Sequence, residues 1–264
     1  MLCKGTKKSA KTEVGVVKTL HYKELKPTDF CNKMTQIDVN KLNKMNSDLT
    51  HVYLMPGMAA NPSIFENIKL PESQYEIHWL VWFIPEKDES LQDYAQRMCK
   101  FIKHENVVLL GVSFGGILVQ EMSKIIKLKK LIVVSSVKSH YELPKRIRLL
   151  KVTKAYKILP TQLASNIDLL AKYAFGKSVK KRVGLYQKYL SVNDKTYLDW
   201  SIKQVACWDQ EVPNPDAIYI NGDKDFVFPY SCVGSSIVIK GGTHIMIINK
   251  YKWFNENLPK LIES

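Results

Sequence analysis

Ser113 is the residue whose type and setting most directly suggest chemistry. It sits in NVVLLGVSFGGILVQEM (106–122), where an apolar, β-branched run stops at G-V-S-F-G-G and apolar residues then resume at helical spacing. A strand that turns sharply into a helix needs small residues at the turn, which Gly111 and Gly115 provide. Such a turn holds its middle residue in a strained conformation, with the hydroxyl exposed at the C-terminal edge of a sheet. The helix beginning behind Ser113 points its positive end at the same spot, where an oxyanion would develop. A serine hydroxyl is a poor nucleophile at neutral pH. It needs a histidine base, itself oriented by a carboxylate.

Other chemistries find less support. The phosphate-cradling pattern GxxxxGK[ST] and the dinucleotide pattern GxGxxG are both absent. The six histidines are scattered through the chain without HxH or HExxH spacing, so no metal site is expected. No cofactor is expected either. The five cysteines, at positions 3, 31, 99, 207 and 232, form no CxxC pair and leave an odd one. That usage points to free thiols in a reducing cytoplasm rather than a disulfide framework.

The elements that must position the serine can be read from residue 50 onward. HVYLMPG (51–57), YEIHWLVWF (75–83), NVVLLGV (106–112), KLIVVSS (130–136), DAIYING (216–222) and SSIVIKG (235–241) read as strands. Each is apolar and partly β-branched, and most end in Gly, Pro or Ser. Helical candidates lie between them, such as SLQDYAQRMCKFI (90–102) and the stripe Leu118, Met122, Ile125. Alternating strand and helix predicts an α/β fold with a mainly parallel sheet covered on both faces.

The alternation breaks over 138–206, where the spacing is helical throughout (Leu149, Val152, Tyr156, Leu159; Leu163, Ile167, Leu170; Leu198, Ile202, Val205). So long a helical stretch between two strands of one sheet predicts an inserted subdomain. The first 47 residues are polar and lysine-rich, with one strand-like piece, EVGVVKTLHY. They are expected to form an edge hairpin or a loosely ordered extension.

Residues 107–122 resemble the nucleophile elbow of the α/β-hydrolase superfamily, in which serine, acid and histidine follow in that order. Two later stretches fit that order. IYINGDKDFVFP (218–229) resembles the family's acid loop and places the acid at Asp225, with Asp223 as the alternative in a turn-rich NGDKD. IVIKGGTHIMI (237–247) resembles the histidine loop and nominates His244. The resemblance implies an oxyanion hole of two backbone N–H groups, those of Phe114 and of Met58 in VYLMPGMAANPSIF (52–65). Family members commonly carry His-Gly where this chain has Pro56-Gly57, which removes a side chain that often braces the loop. An HGGG motif is absent.

The resemblance covers residues 48–264 and is closest to small bacterial hydrolases. It implies a core of 48–137 and 207–264 with a helical cap at 138–206. The implied activity is that of a serine hydrolase on a small-molecule carboxylic ester or thioester. An acyltransferase using the same triad, or a catalytically silent binding module, are the alternatives. The cap's aromatics, at helical spacing, are expected to pack rather than contact ligand.

Composition bounds the rest. At 264 residues, 45% hydrophobic and 24% charged, the chain reads as a globular protein with one large domain. No apolar run approaches the roughly 18 residues of a membrane span. The N-terminus shows no apolar core of a secretory signal. The net charge of +14 concentrates in 138–203, with fifteen Lys or Arg against four Asp or Glu. Only four residues are arginine (Arg97, Arg146, Arg148, Arg182), whereas nucleic-acid surfaces lean on arginine, so no nucleic-acid partner is expected. The lysines predict a solvated surface, or one that draws an anionic substrate or surface.

Overall fold

The computed structural model describes residues 49–157 and 188–264, all within the unit Asp48–Ser264. Six parallel strands form one sheet in the order β2-β1-β3-β4-β5-β6. They are β1 (Thr50–Met55), β2 (Tyr75–Trp79), β3 (Val107–Val112), β4 (Lys130–Val134), β5 (Ala217–Gly222) and β6 (Ile237–Ile239). Every residue of β1 and β3 is buried. Their unbroken apolar character is what a strand covered on both faces requires.

β2 is shorter than its apolar run, and the run's last residues leave the ladder with Leu80 and Trp82 buried but Val81 exposed.

Among the described residues, five helices of nine or more residues flank the sheet: α1 (Leu91–Cys99), α2 (Phe114–Met122), α3 (Lys145–Thr153), α4 (Lys195–Cys207) and α5 (Tyr251–Glu263). Capping fixes two of the starts. Ser90 Oγ accepts from the Asp93 N–H, and Asp194 accepts from the Tyr197 N–H. All nine residues of α2 are buried, which makes it the central helix. It ends at Met122, so the expected stripe stops there and Ile125 lies beyond it, half exposed.

Between β4 and β5 the described residues contain helices and no strand. α3 forms where helical spacing predicts it, but it buries Ile147 and leaves Leu149 and Val152 exposed. The expected positions Leu159, Leu163, Ile167 and Leu170 lie outside the described residues, as does EVGVVKTLHY. Among the described residues, no helix is long and apolar enough to cross a membrane.

The strand order sets where a site can form. β1 lies between β2 and β3; the chain leaves β1 toward β2 but leaves β3 toward β4. The connections therefore diverge and open a crevice at the C-terminal ends of β1 and β3, the usual place for a ligand in an open parallel sheet. At the other end of the same strands, three of the six histidines come together. His51, His78 and His104 gather with Glu76, their ligand-type atoms all within 4.8 Å of one another. Histidines scattered in sequence are thus not scattered in space.

Candidate active site

Ser113 follows the last residue of β3 and has φ 56° and ψ −120°. A non-glycine residue there carries strain of about 1–3 kcal/mol, which the surroundings must hold in place. They do so through the backbone. The Ser113 N–H donates to the Val134 carbonyl (2.9 Å), and the Ser136 hydroxyl donates to the Ser113 carbonyl (2.7 Å). The turn is also too tight for side chains. A Cβ at Gly115 would lie 2.3 Å from the Pro56 carbonyl oxygen, so α2 can approach the end of β1 only with glycine there.

Asp225 and His244 arrive on the loops after β5 and β6. Those loops touch at Gly222, where a Cβ would stand 2.2 Å from the Gly242 carbonyl oxygen. The Lys224 N–H donates to that same carbonyl (2.8 Å). The outcome is a continuous relay. His244 Nδ1 lies 2.9 Å from Asp225 Oδ2, and His244 Nε2 lies 2.9 Å from Ser113 Oγ. With the proton on Nδ1 donated to the carboxylate, Nε2 keeps a lone pair that accepts the serine hydroxyl proton.

The Asp225 side chain is fully buried, and its other oxygen accepts the N–H groups of Val227 (2.8 Å) and Phe228 (3.0 Å). Both carboxylate oxygens are therefore engaged and the group cannot rotate. Asp223, the alternative, is exposed and accepts instead from the Gly241 N–H (2.6 Å), bracing the turn that leads to His244. The structure thus brings Ser113, His244 and Asp225 together and leaves Asp223 outside.

The loop after β1 lies over the serine. A Cβ on Gly57 would sit 3.3 Å from Ser113 Cβ and 3.9 Å from its Oγ. Met58 follows in that loop, and Phe114 opens α2. Among the described residues, neither N–H has a hydrogen-bond partner. Two unpaired amides flanking a nucleophile can receive a developing oxyanion.

Trp82 supplies the brace that Pro56 cannot. Its indole N–H donates to the Gly57 carbonyl (2.9 Å), and its ring stacks on Phe114 with centroids 5.0 Å apart and planes 6° from parallel. One side chain thereby contacts both segments carrying the candidate oxyanion donors, the loop after β1 and the start of α2. Sequence reasoning missed Trp82. The alternation of Leu80 and Trp82 toward the covered face was the available signal, hidden in a run read as plain strand.

Further ties join this site to the flanks of the helical stretch. The Asn61 amide donates to the Lys188 carbonyl (2.7 Å) and to Ser191 Oγ (2.8 Å), while the Val192 N–H donates to the Ala59 carbonyl (3.0 Å). On the other side, the Arg146 guanidinium on α3 donates to the carbonyls of Phe226 (2.6 Å) and Val227 (2.8 Å), just after Asp225.

No family model matches the chain, and no curated protein matches it in sequence. Solved structures do match in shape. A bromoperoxidase from Bacillus anthracis superposes with a TM-score of 0.61 at 17% identity, over 82% of this chain and 92% of that one. An esterase from Exiguobacterium antarcticum gives 0.60 at 19% identity, over 83% and 93%. An alpha/beta hydrolase enzyme from a Medee basin deep-sea metagenome library gives 0.57 at 11% identity, over 82% and 90%. At these identities the likeness establishes the architecture: the chain has the α/β-hydrolase fold.

Proposed function

We propose that this α/β-hydrolase fold carries a serine hydrolase acting on a carboxylic ester or thioester, with Ser113, His244 and Asp225 as its catalytic residues. The observation that carries the reading is the relay of two 2.9 Å contacts from Asp225 through His244 to Ser113, on a nucleophile held in strained backbone. That the named neighbours include an esterase agrees with it.

In this reading Ser113 Oγ attacks the substrate carbonyl while His244 Nε2 takes its proton. Asp225 holds the imidazole in the right tautomer and stabilises the imidazolium. The Met58 and Phe114 amides receive the negative charge on the carbonyl oxygen. The intermediate collapses as His244 returns the proton to the leaving alcohol or thiol, which leaves an acyl group on Ser113. A water deprotonated by His244 then attacks the acyl carbonyl, and the serine leaves with the proton back on Oγ.

The helical stretch 138–206 is proposed as a cap over the acyl pocket. Its ties through Arg146 to the acid loop, and the Asn61 contacts at its far flank, support this reading. Its lysine excess is proposed to favour anionic esters.

Rapid quenching of a reaction with p-nitrophenyl butyrate, followed by intact and peptide mass spectrometry, tests the scheme. One butyryl group should sit on the Ser113 peptide and disappear as free butyrate accumulates. Release of p-nitrophenol with no acyl adduct at any quench time, or an adduct elsewhere, rejects the acyl-enzyme on Ser113. An added alcohol that takes most of the acyl group in preference to water identifies the transferase variant of the same chemistry.

A further inference from the structure

The end of the sheet remote from Ser113 holds a second cluster of chemically capable side chains. Residues 51 and 76 are register partners on β1 and β2, as are 53 and 78. Because side chains alternate along a strand, His51, Tyr53, Glu76 and His78 share one face. His104, in the connector that leads into β3, joins them from the side: its Nδ1 lies 2.6 Å from Tyr53 Oη, and Tyr53 Oη also accepts the Lys103 N–H (3.1 Å). His51 is level with Val107, six residues before Ser113, which puts the cluster about 20 Å from the serine.

Three donor atoms converge. His51 Nδ1 is 3.0 Å from His78 Nε2 and 3.3 Å from Glu76 Oε2, and the last two are 3.8 Å apart. Bonds of about 2.0–2.2 Å to a tetrahedral zinc ion place neighbouring ligand atoms about 3.3–3.5 Å apart. The observed triangle straddles that edge length. At 3.0 Å His51 Nδ1 and His78 Nε2 stand at hydrogen-bond distance, so a bound ion would take the place of the proton they share.

We propose that His51 Nδ1, His78 Nε2 and Glu76 Oε2 bind a divalent first-row transition ion, with zinc the best fit to two imidazoles and one carboxylate. His104 stacks almost parallel on His51, with centroids 3.8 Å apart and planes at 7°. Two parallel rings cannot both aim a lone pair at one ion. The fourth position falls to His104 once it turns out of the stack, with Tyr53 orienting its Nδ1, or to water. Placed at the far end of the sheet, the ion ties β2 to β1 and takes no part in chemistry at Ser113.

The test is a zinc titration of the chelator-stripped full chain against a chromophoric competitor, repeated with Co²⁺ to read the ligand set from its visible spectrum. The proposal predicts one equivalent bound, a tetrahedral or five-coordinate N/O spectrum, and a rise in Tm with added zinc. Glu76→Gln keeps shape on a half-exposed side chain and should weaken binding at least about tenfold. His78→Gln should weaken it further. Both variants should match the parent's Tm in chelator to within a few degrees, which separates lost ligation from lost fold. Ser113→Ala and His244→Ala should bind zinc like the parent. Absence of stoichiometric binding, thiolate charge-transfer bands from the cysteines, or unchanged affinity in folded Glu76→Gln and His78→Gln would each overturn the proposal.

Discussion

The two ends of one sheet gather reactive side chains by different means. At the C-terminal ends, Ser113, Asp225 and His244 each sit on a loop after a strand, and backbone close approaches place them: α2 against β1 at Gly115, and the two late loops against each other at Gly222. Away from that edge, His51, Glu76 and His78 sit within β1 and β2, and parallel register brings them together. The first arrangement demands specific small residues and strained backbone, so it marks the sequence around it. The second demands nothing of its neighbours beyond ordinary strand formers.

That difference explains what could be read in advance. β1 and β3 emerge as unbroken apolar runs because every one of their residues is buried. The residues of the relay were legible because glycines flank them. Asp225 was legible as the expected acid, with Asp223 as the alternative in the same turn-rich NGDKD. In the structure the Asp225 carboxylate is held by the Val227 and Phe228 N–H groups and lies against His244, while Asp223 accepts from the Gly241 N–H instead. Trp82 escaped because its role depends on a hydrogen bond to Gly57, twenty-five residues away. The histidine cluster escaped for the same reason: register between β1 and β2 is a property of the folded sheet, not of a local motif.

If strained backbone and a buried relay distinguish the serine end, the largest effect belongs to the nucleophile. Ser113→Ala should lower kcat/KM for p-nitrophenyl esters by about 10⁴-fold or more, since the three residues act as a unit, with the thermal unfolding curve preserved. A loss below tenfold would place the chemistry elsewhere.

Asp225→Asn comes next, at about 10³–10⁴-fold in kcat, because an amide in that position favours the wrong imidazole tautomer. Asp223→Asn should cost far less, since its exposed side chain only braces the Gly241 turn. The reverse ranking would reassign the acid.

A smaller effect sharpens the account of the oxyanion loop. Trp82→Phe keeps an aromatic ring against Phe114 but removes the donor to Gly57. One such bond is worth roughly 0.5–1.5 kcal/mol, so kcat should fall about two- to twelvefold with KM little changed. A rise in KM at constant kcat would show that Trp82 shapes the substrate pocket instead.

The smallest effect concerns charge. If the lysine-rich stretch 138–203 draws anionic esters, kcat/KM for a succinyl monoester should fall a few-fold between low and 0.5 M salt, while a neutral ester of equal length stays level. Equal salt dependence for the two esters would leave these lysines as a solvated surface.

The central claim is that Ser113 is an activated nucleophile beside an oxyanion hole. A fluorophosphonate probe tests it without a known substrate, because phosphonylation needs the same proton removal and charge stabilisation as acyl transfer. The folded protein should take up one equivalent on the Ser113 peptide, and labelling should vanish on heat denaturation and in His244→Ala. Folded protein that stays unlabelled, with and without mild detergent to loosen the proposed cap, would contradict the account.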